Sequence, residues 1–305
     1  MKKVIDLNIE KNFDLKKIID SYSNIGGFNA AHFYDGIKIL EKMIKDEKCK
    51  KILSFTGNII STGVRGIIKS FLEKKFFDLV ITTCGSLDHD IARSFSNYYC
   101  GSFFVDDKEL VKKGFHRLGN VFIPFKNYGK LIEEKISELV KKLNGKELAT
   151  YEFCWELGKF INKESSFLFQ CYKNKIPVIV PGFYDGAVGC QIWLNFQRGK
   201  KVFINLIKDE QFLSDFVWNS EKLGALIIGG GISKHHTIWW AQFKNGLDYS
   251  VYITTASEYD GSLAGARTRE AITWKKIKRN ALHTTIECDV TIILPIIYSY
   301  LIQSV

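Results

Sequence analysis

The stretch LGALIIGGG at residues 223–231 decides how this chain is read. An unbroken apolar run of strand length that closes on three glycines is the pattern of a strand buried on both faces and ending in a tight turn. The residues after it, ISKHHTIWW (232–240), read as a helix passing through Trp239 and Trp240. Outward in both directions the plan repeats. KILSFTG (51–57) runs into a small-residue turn and a helix over 62–75, and FDLVITTCGS (77–86) into a helix over about 88–96. Further strands are IPVIVPG (176–182), DYSVYITTA (248–256) and the first half of TTIECDVTIILP (284–295), whose second half starts a helix. Residues 128–143 set Leu131, Ile132, Ile136, Leu139 and Val140 at helical spacing. Strands alternating with helices predict an α/β fold, a single doubly wound Rossmann-like domain with a mostly parallel sheet. Residues 1–48 are expected to form a helical N-terminal extension and residues 49–305 the core. No internal repeat and no Pro/Ser-rich linker divides the chain, so 1–305 reads as one domain.

Composition excludes several classes. With 46% hydrophobic residues among 305 and only 4 Pro, the chain buries a sizeable core and is not disordered. Lys and Arg outnumber Asp and Glu 43 to 33, a balance of +10. The basic residues are spread along the chain beside acidic ones rather than gathered in one stripe, so they read as solvated helix faces and no nucleic-acid partner is expected. The longest apolar run, 290–302, is broken by Pro295 and Ser299 and is too short to span a bilayer. The N-terminus has two lysines with no apolar segment behind them, so no signal peptide and a cytoplasmic location are expected. The seven cysteines are scattered without a CxxC pair, and no metal is expected.

Five strands end in similar chemistry: TGNIISTG, TTCGSLDHD, PGFYDGAVG, GGGISKHH and TTASEYDGS. In open α/β sheets the carboxyl ends of strands line the ligand crevice, and small residues there let backbone N–H groups approach an anion. None of the five is a GxGxxG fingerprint or a Walker loop, and each alone is an ordinary turn. Together they point to a nucleotide-type ligand.

These blocks, in this order, the fifth lying within NGLDYSVYITTASEYDGSLAGAR and followed by EAITWKKI, resemble the deoxyhypusine synthase family from about residue 20 to the C-terminus. LDHDIAR and YDGAVG resemble its archaeal branch. The resemblance implies an NAD-dependent transferase that moves the 4-aminobutyl group of spermidine to one lysine of the translation initiation factor 5A precursor. It also implies an enzyme-lysine imine and a homotetramer with sites built across a dimer interface. The matching nucleophile is Lys276, two residues after Trp274, and the matching histidine is His235. A Schiff-base lysine must be deprotonated, and both desolvation by an aromatic and neighbouring cations favour that state. Trp274, Lys275 and Lys278 are the neighbours expected to supply them. By itself, the charge run 275–279 would be solvated surface.

For NAD, the resemblance implies Gly57, Asn58, Ile59, Ile60, Ser61, Thr83, Cys84, Gly85, Asp185, Gly230, Thr255, Ala256, Asp289 and Val290. For the amine substrate it implies Asp88, His89, Gly261, Ser262, Glu270 and Trp274. A polycation needs acids, and Asp88, Glu258, Asp260 and Glu270 are the carboxylates in the matching blocks. His89, Cys190 and Leu263 stand where the eukaryotic branch has acidic residues, which leaves agmatine as an alternative donor. Two other readings stay open: transfer to putrescine, giving homospermidine, and a silent NAD- or polyamine-binding homologue.

Overall fold

In a computed structural model the chain is described over residues 3–12 and 14–305. Met1, Lys2 and Phe13 lie outside the described residues, so the expected N-terminal extension is seen as helices Leu15–Ser21 and Phe28–Lys45. The chain divides into two compact units, interleaved in sequence. The first comprises Met1–Ser54, Phe76–Asp78 and Leu213–Val305, the second Phe55–Lys75 and Leu79–Phe212. The expected mostly parallel α/β fold is present. Its principal strands are β1 (Cys49–Phe55), β2 (Leu79–Ile81), β3 (Val178–Ile179), β4 (Lys222–Ile228), β5 (Leu247–Thr254) and β6 (Ile277–Glu287).

In the first unit the strand order is β6-β5-β4-β1. β5 runs parallel to β4, with Tyr249 opposite Gly224 and Ile253 opposite Ile228. It also runs parallel to β6, with Leu247 opposite Ile277 and Thr254 opposite Glu287. The β5–β6 register shifts between Leu247 and Tyr249, where β6 carries extra residues. Leu226, Ile227, Val251 and Ile253 are fully or nearly fully buried, as continuous apolar runs in parallel strands must be. Helix Phe28–Lys45 adds Ile37, Leu40 and Met43 to this core, each contributing about 1.5–3 kcal/mol by burial. Its Gly36 lets the helix sit close: a Cβ there would lie 2.6 Å from Ile286 Cδ1. The C-terminal helix Val290–Ser304 starts on Asp289, whose Oδ1 accepts from Thr291 N at 2.6 Å, and it continues through Pro295.

In the second unit β2 and β3 are parallel, with Val80 opposite Val178. Helices Arg65–Glu73, Cys84–Phe95, Gly129–Leu143, Thr150–Ile161, Phe167–Asn174 and Ala187–Gln197 supply its core, including Ile68, Phe71, Ile91, Ile136, Phe153 and Phe167. Residues 99–124 form an antiparallel sheet in the order Tyr99–Cys100, Val121–Pro124, Phe115–Leu118, which the sequence reading did not anticipate. Strands of two to four residues are too short to show periodicity.

Candidate active site

The first unit holds a cavity of about 190 Å³ between helix Gly231–Ala241, strand β5 and the segment 263–276. Lys276 lines it immediately before β6. Its backbone is fixed on both sides: Lys276 N donates to Ala271 O at 3.0 Å, and Leu247 N donates to Lys276 O at 3.1 Å. Lys275, at φ +55°, makes the left-handed step that carries the chain from helix Glu270–Thr273 into β6. Lys276 Nζ lies 5.4 Å from the centre of the Trp274 ring, and Trp274 is 65% exposed. Glu270, at the start of the short helix, lines the same cavity, as does Leu263.

His235 projects from helix Gly231–Ala241, its ring stacked on Trp239 at 5.8 Å between centroids and 22° between planes. Partial burial and, second, the charge of Lys276 hold the imidazole below its ordinary value. It is therefore largely neutral at pH 7, the form that accepts a proton. The cations expected to flank the nucleophile are placed differently. Lys278 is spent on Asp248, 2.8 and 2.9 Å from its two oxygens, and Lys275 is exposed.

Of the four carboxylates, one lines this cavity. Glu258 is paired with Arg267 at 3.3 Å and with Arg269 at 2.7 and 2.5 Å. Asp260 accepts from Ser262 N at 2.7 Å, and the Ser262 hydroxyl first, then this N–H, hold its carboxyl below the usual range. Gly261, at φ +70°, turns the chain between them. Asp88, in the second unit, is 1% exposed and accepts from Ala187 N at 2.9 Å, Val188 N at 2.7 Å and Tyr128 OH at 3.0 Å. It caps helix Ala187–Gln197, and burial pushes its carboxyl up. His89 Nδ1 pairs with Tyr98 OH at 3.0 Å, and burial lowers the ring to about 4. That leaves Glu270 as the acid available to an amine in the first unit's cavity.

The residues matched to NAD form one group in each unit. In the first unit they stand just beyond the carboxyl ends of three adjacent strands. Gly230 follows β4, Thr255 and Ala256 follow β5, and Asp289 and Val290 follow β6. These ends are in step: Gly229 N donates to Ile253 O at 2.8 Å and Cys288 N to Thr254 O at 3.1 Å. Gly230 is required by close approach, since a Cβ would lie 2.5 Å from Ala264 Cα. In the second unit, Gly57, Asn58, Ile59, Ile60 and Ser61 form a single 3₁₀ turn, and Thr83, Cys84 and Gly85 head helix Cys84–Phe95, whose first turn no side chain caps. The two meet at Gly57, where a Cβ would lie 2.7 Å from the Gly85 carbonyl carbon and 2.9 Å from Ser86 N. Asp185 is exposed beside Gly186, which packs against Cys84. Taken by itself, the second unit's backbone cradle at an uncapped helix start offers N–H groups of the kind that take a phosphate, and the first unit's strand ends offer the carboxylate of Asp289. Among the described residues no group of three or more His, Cys, Asp and Glu could hold a metal ion. No helix among them is long and apolar enough to cross a membrane.

Six lining residues were not singled out from the sequence, three of them polar: Lys234, Tyr252 and Arg267. Lys234 had a readable signal. With Thr237, Ile238 and Ala241 it falls on one helical face at i, i+3, i+4 and i+7, and all four are buried.

The fold and site thus define a mostly parallel α/β protein with a lysine-centred pocket and strand-end loops suited to a nucleotide. The deoxyhypusine synthase family profile matches residues 17–301, and the chain belongs to that family, making it a transferase. It is 50% identical over 298 residues to the "Probable deoxyhypusine synthase" of Thermoplasma volcanium, covering 97% of this chain and 96% of that protein. The protein of the same name from Sulfolobus acidocaldarius is 49% identical over 304 residues, covering 98% and 97%. Among solved structures, a proposed deoxyhypusine synthase from Entamoeba histolytica superposes with a TM-score of 0.66 at 20% identity, covering 97% of this chain and 96% of that one, a likeness of fold.

Proposed function

We propose that this chain is an NAD-dependent 4-aminobutyl transferase that takes its group from spermidine and delivers it to one lysine of the translation initiation factor 5A precursor. The observation that carries the proposal is the shared cavity of Lys276, Trp274 and Glu270. A nucleophilic amine, an aromatic wall and one carboxylate are what capture of an amine-bearing carbon needs. NAD, when bound, accepts and returns a hydride. Gly57 to Ser61, Thr83 to Gly85, Asp185, Gly230, Thr255, Ala256, Asp289 and Val290 would hold it. Lys276 forms an imine with the butyl carbon as 1,3-diaminopropane leaves, and His235 moves protons between the amines at near-neutral pH. Glu270 and Trp274 bind the butyl ammonium end, with Gly261 and Ser262 shaping the turn beside them. Asp88 and His89 are included in this proposal as residues that bind the amine substrate.

The first unit's geometry also supports an oligomeric site. Lys276 precedes β6, whereas Asp289 follows it, and the paired length from Leu247 to Thr254 is roughly 23 Å at about 3.3 Å per residue. Hydride transfer needs contact, so the cofactor side of one copy would serve Lys276 of another, in keeping with a homotetramer. We place the protein in the cytoplasm and treat residues 1–305 as one functional domain.

The test is to incubate the purified protein with NAD and spermidine labelled in the butyl moiety, with the factor 5A precursor or putrescine as acceptor, and to trap with borohydride. Label should appear on Lys276 and pass to the precursor. Equal trapping by wild type and Lys276→Ala would sink the nucleophile, and delivery to putrescine alone would turn the reading to homospermidine synthesis.

A further inference from the structure

Lys234 is 1% exposed, yet no carboxylate lies within salt-bridge distance of it among the described residues. Its Nζ donates to the Ala266 carbonyl at 2.7 Å and sits 4.2 Å from the centre of the Tyr252 ring. Burying a lysine amine on those two contacts costs more than burying an apolar side chain of the same length. A methionine would fill the space more favourably, so packing does not explain the amine.

Its location does. Lys234 precedes His235 on helix Gly231–Ala241 and lines the cavity that holds Lys276, Glu270 and Trp274. Ala266 belongs to the loop 262–267, which carries Leu263 into the cavity and leads to Glu270. That loop is seated at two other points by close backbone approach, Gly230 against Ala264 and Gly265 against Ser257, where a Cβ would lie 1.8 Å from a carbonyl oxygen. Between Ala264 and Arg267, the Lys234 amine is the side-chain hydrogen bond that ties the loop to the helix of His235.

We propose that Lys234 is a positioning residue that clamps the 262–267 loop to the His235 helix, so that Glu270 and Lys276 face a bound amine donor in working register. The charged and titratable groups around it are Glu270, whose carboxylate favours its charge, Arg267, which opposes it, and Tyr252 and Lys276 across the same cavity. Burial lowers its amine to about 8. The effect on turnover rests on the proposed reaction; the clamp does not.

The experiment therefore reads both, on the full-length protein. Amide hydrogen exchange of residues 262–267 is compared in wild type and Lys234→Met, with thermal melting and with turnover on NAD, spermidine and the factor 5A precursor. The expected result is exchange at least tenfold faster in the loop, kcat at least tenfold lower, KM for spermidine changed less than threefold, and a melting temperature no lower than wild type. Lys234→Arg, which keeps the donor, should recover part of the loop protection. Unchanged loop exchange overturns the proposal, as does a collapsed melting temperature, which would make Lys234 a packing residue. Faster exchange with wild-type kcat also overturns it. If wild type itself transfers nothing while the loop responds to Lys234→Met, the clamp stands and the aminobutyl-transfer reading falls.

Discussion

The glycine cradle at Gly57 and Gly85 and the lysine pocket around Lys276 are built on opposite principles. At the cradle, two backbones come so close that a single Cβ would lie 2.7 Å from the neighbouring chain, and the chemistry on offer is N–H groups. In the pocket close backbone approaches only seat the 262–267 loop, and the chemistry is carried by the side chains of Lys276, Glu270 and Trp274. The cradle should therefore fail when a side chain is added, and the pocket when one is removed. Stability and activity should move together at the first and apart at the second.

Four substitutions test this contrast, from the largest effect to the smallest. Lys276→Ala should abolish imine trapping and turnover while leaving the melting temperature within a few degrees, since Lys276 is only partly buried; a residual rate above 1% of wild type would break the nucleophile assignment. Lys234→Met should stabilise the fold at pH 7 by the order of 3 kcal/mol, the cost of holding an ammonium whose value falls from 10.5 unfolded to about 8 folded. The sign follows from proton counts. Below pH 8 both states are protonated and the wild type carries the full penalty. Between 8 and 10.5 the unfolded chain binds the extra proton, so wild-type stability rises and the advantage of the variant fades. Denaturant melts at pH 7 and 10 check this, and a gap that widens with pH contradicts it.

Gly57→Ala should cost about 1–3 kcal/mol, because the atoms a Cβ would meet belong to the Gly85–Ser86 backbone and cannot swing away. It should also weaken NAD in a fluorescence titration, and a variant with wild-type stability and NAD affinity would remove the cradle from the site. Asp289→Ala should cost about 0.5–2 kcal/mol through loss of the cap on Thr291 N. If NAD affinity falls by more than the destabilisation accounts for, Asp289 meets the cofactor as well as the helix.

The fold was legible where burial is two-sided. The run at 223–231 becomes β4 with helix Gly231–Ala241 behind it, and residues 248–256 become β5 within two residues. The first half of β6 was missed because its residues 277–283 include Lys278, Arg279 and Asn280. In the first unit's strand order β6 is at the edge, and edge strands carry charge that central ones cannot. The candidate site was legible as sequence blocks, since close-approach glycines and the Trp274–Lys276 spacing survive as letters. Partners were not legible. Nothing in the letters showed that Lys278 reaches Asp248, that Glu258 is held by two arginines, or that Asp88 caps a helix one hundred residues downstream.

The interleaving of the two units bears on how the chain is made. The second unit is nearly contiguous, from Phe55 to Phe212, and all of it leaves the ribosome before Leu213. The first unit must wait: Met1–Ser54 has to hold until Leu213–Val305 is synthesised, at roughly 5–20 residues per second. Closing so long a loop is a modest cost, since each doubling of length adds only about 0.6 kcal/mol. The delay is the greater hazard. Helix Phe28–Lys45, with Ile37, Leu40 and Met43 on its buried face, spends those seconds without the β5 and β6 core it finally covers. Nascent chains arrested before residue 213 should therefore depend most on chaperone cover for their first fifty residues.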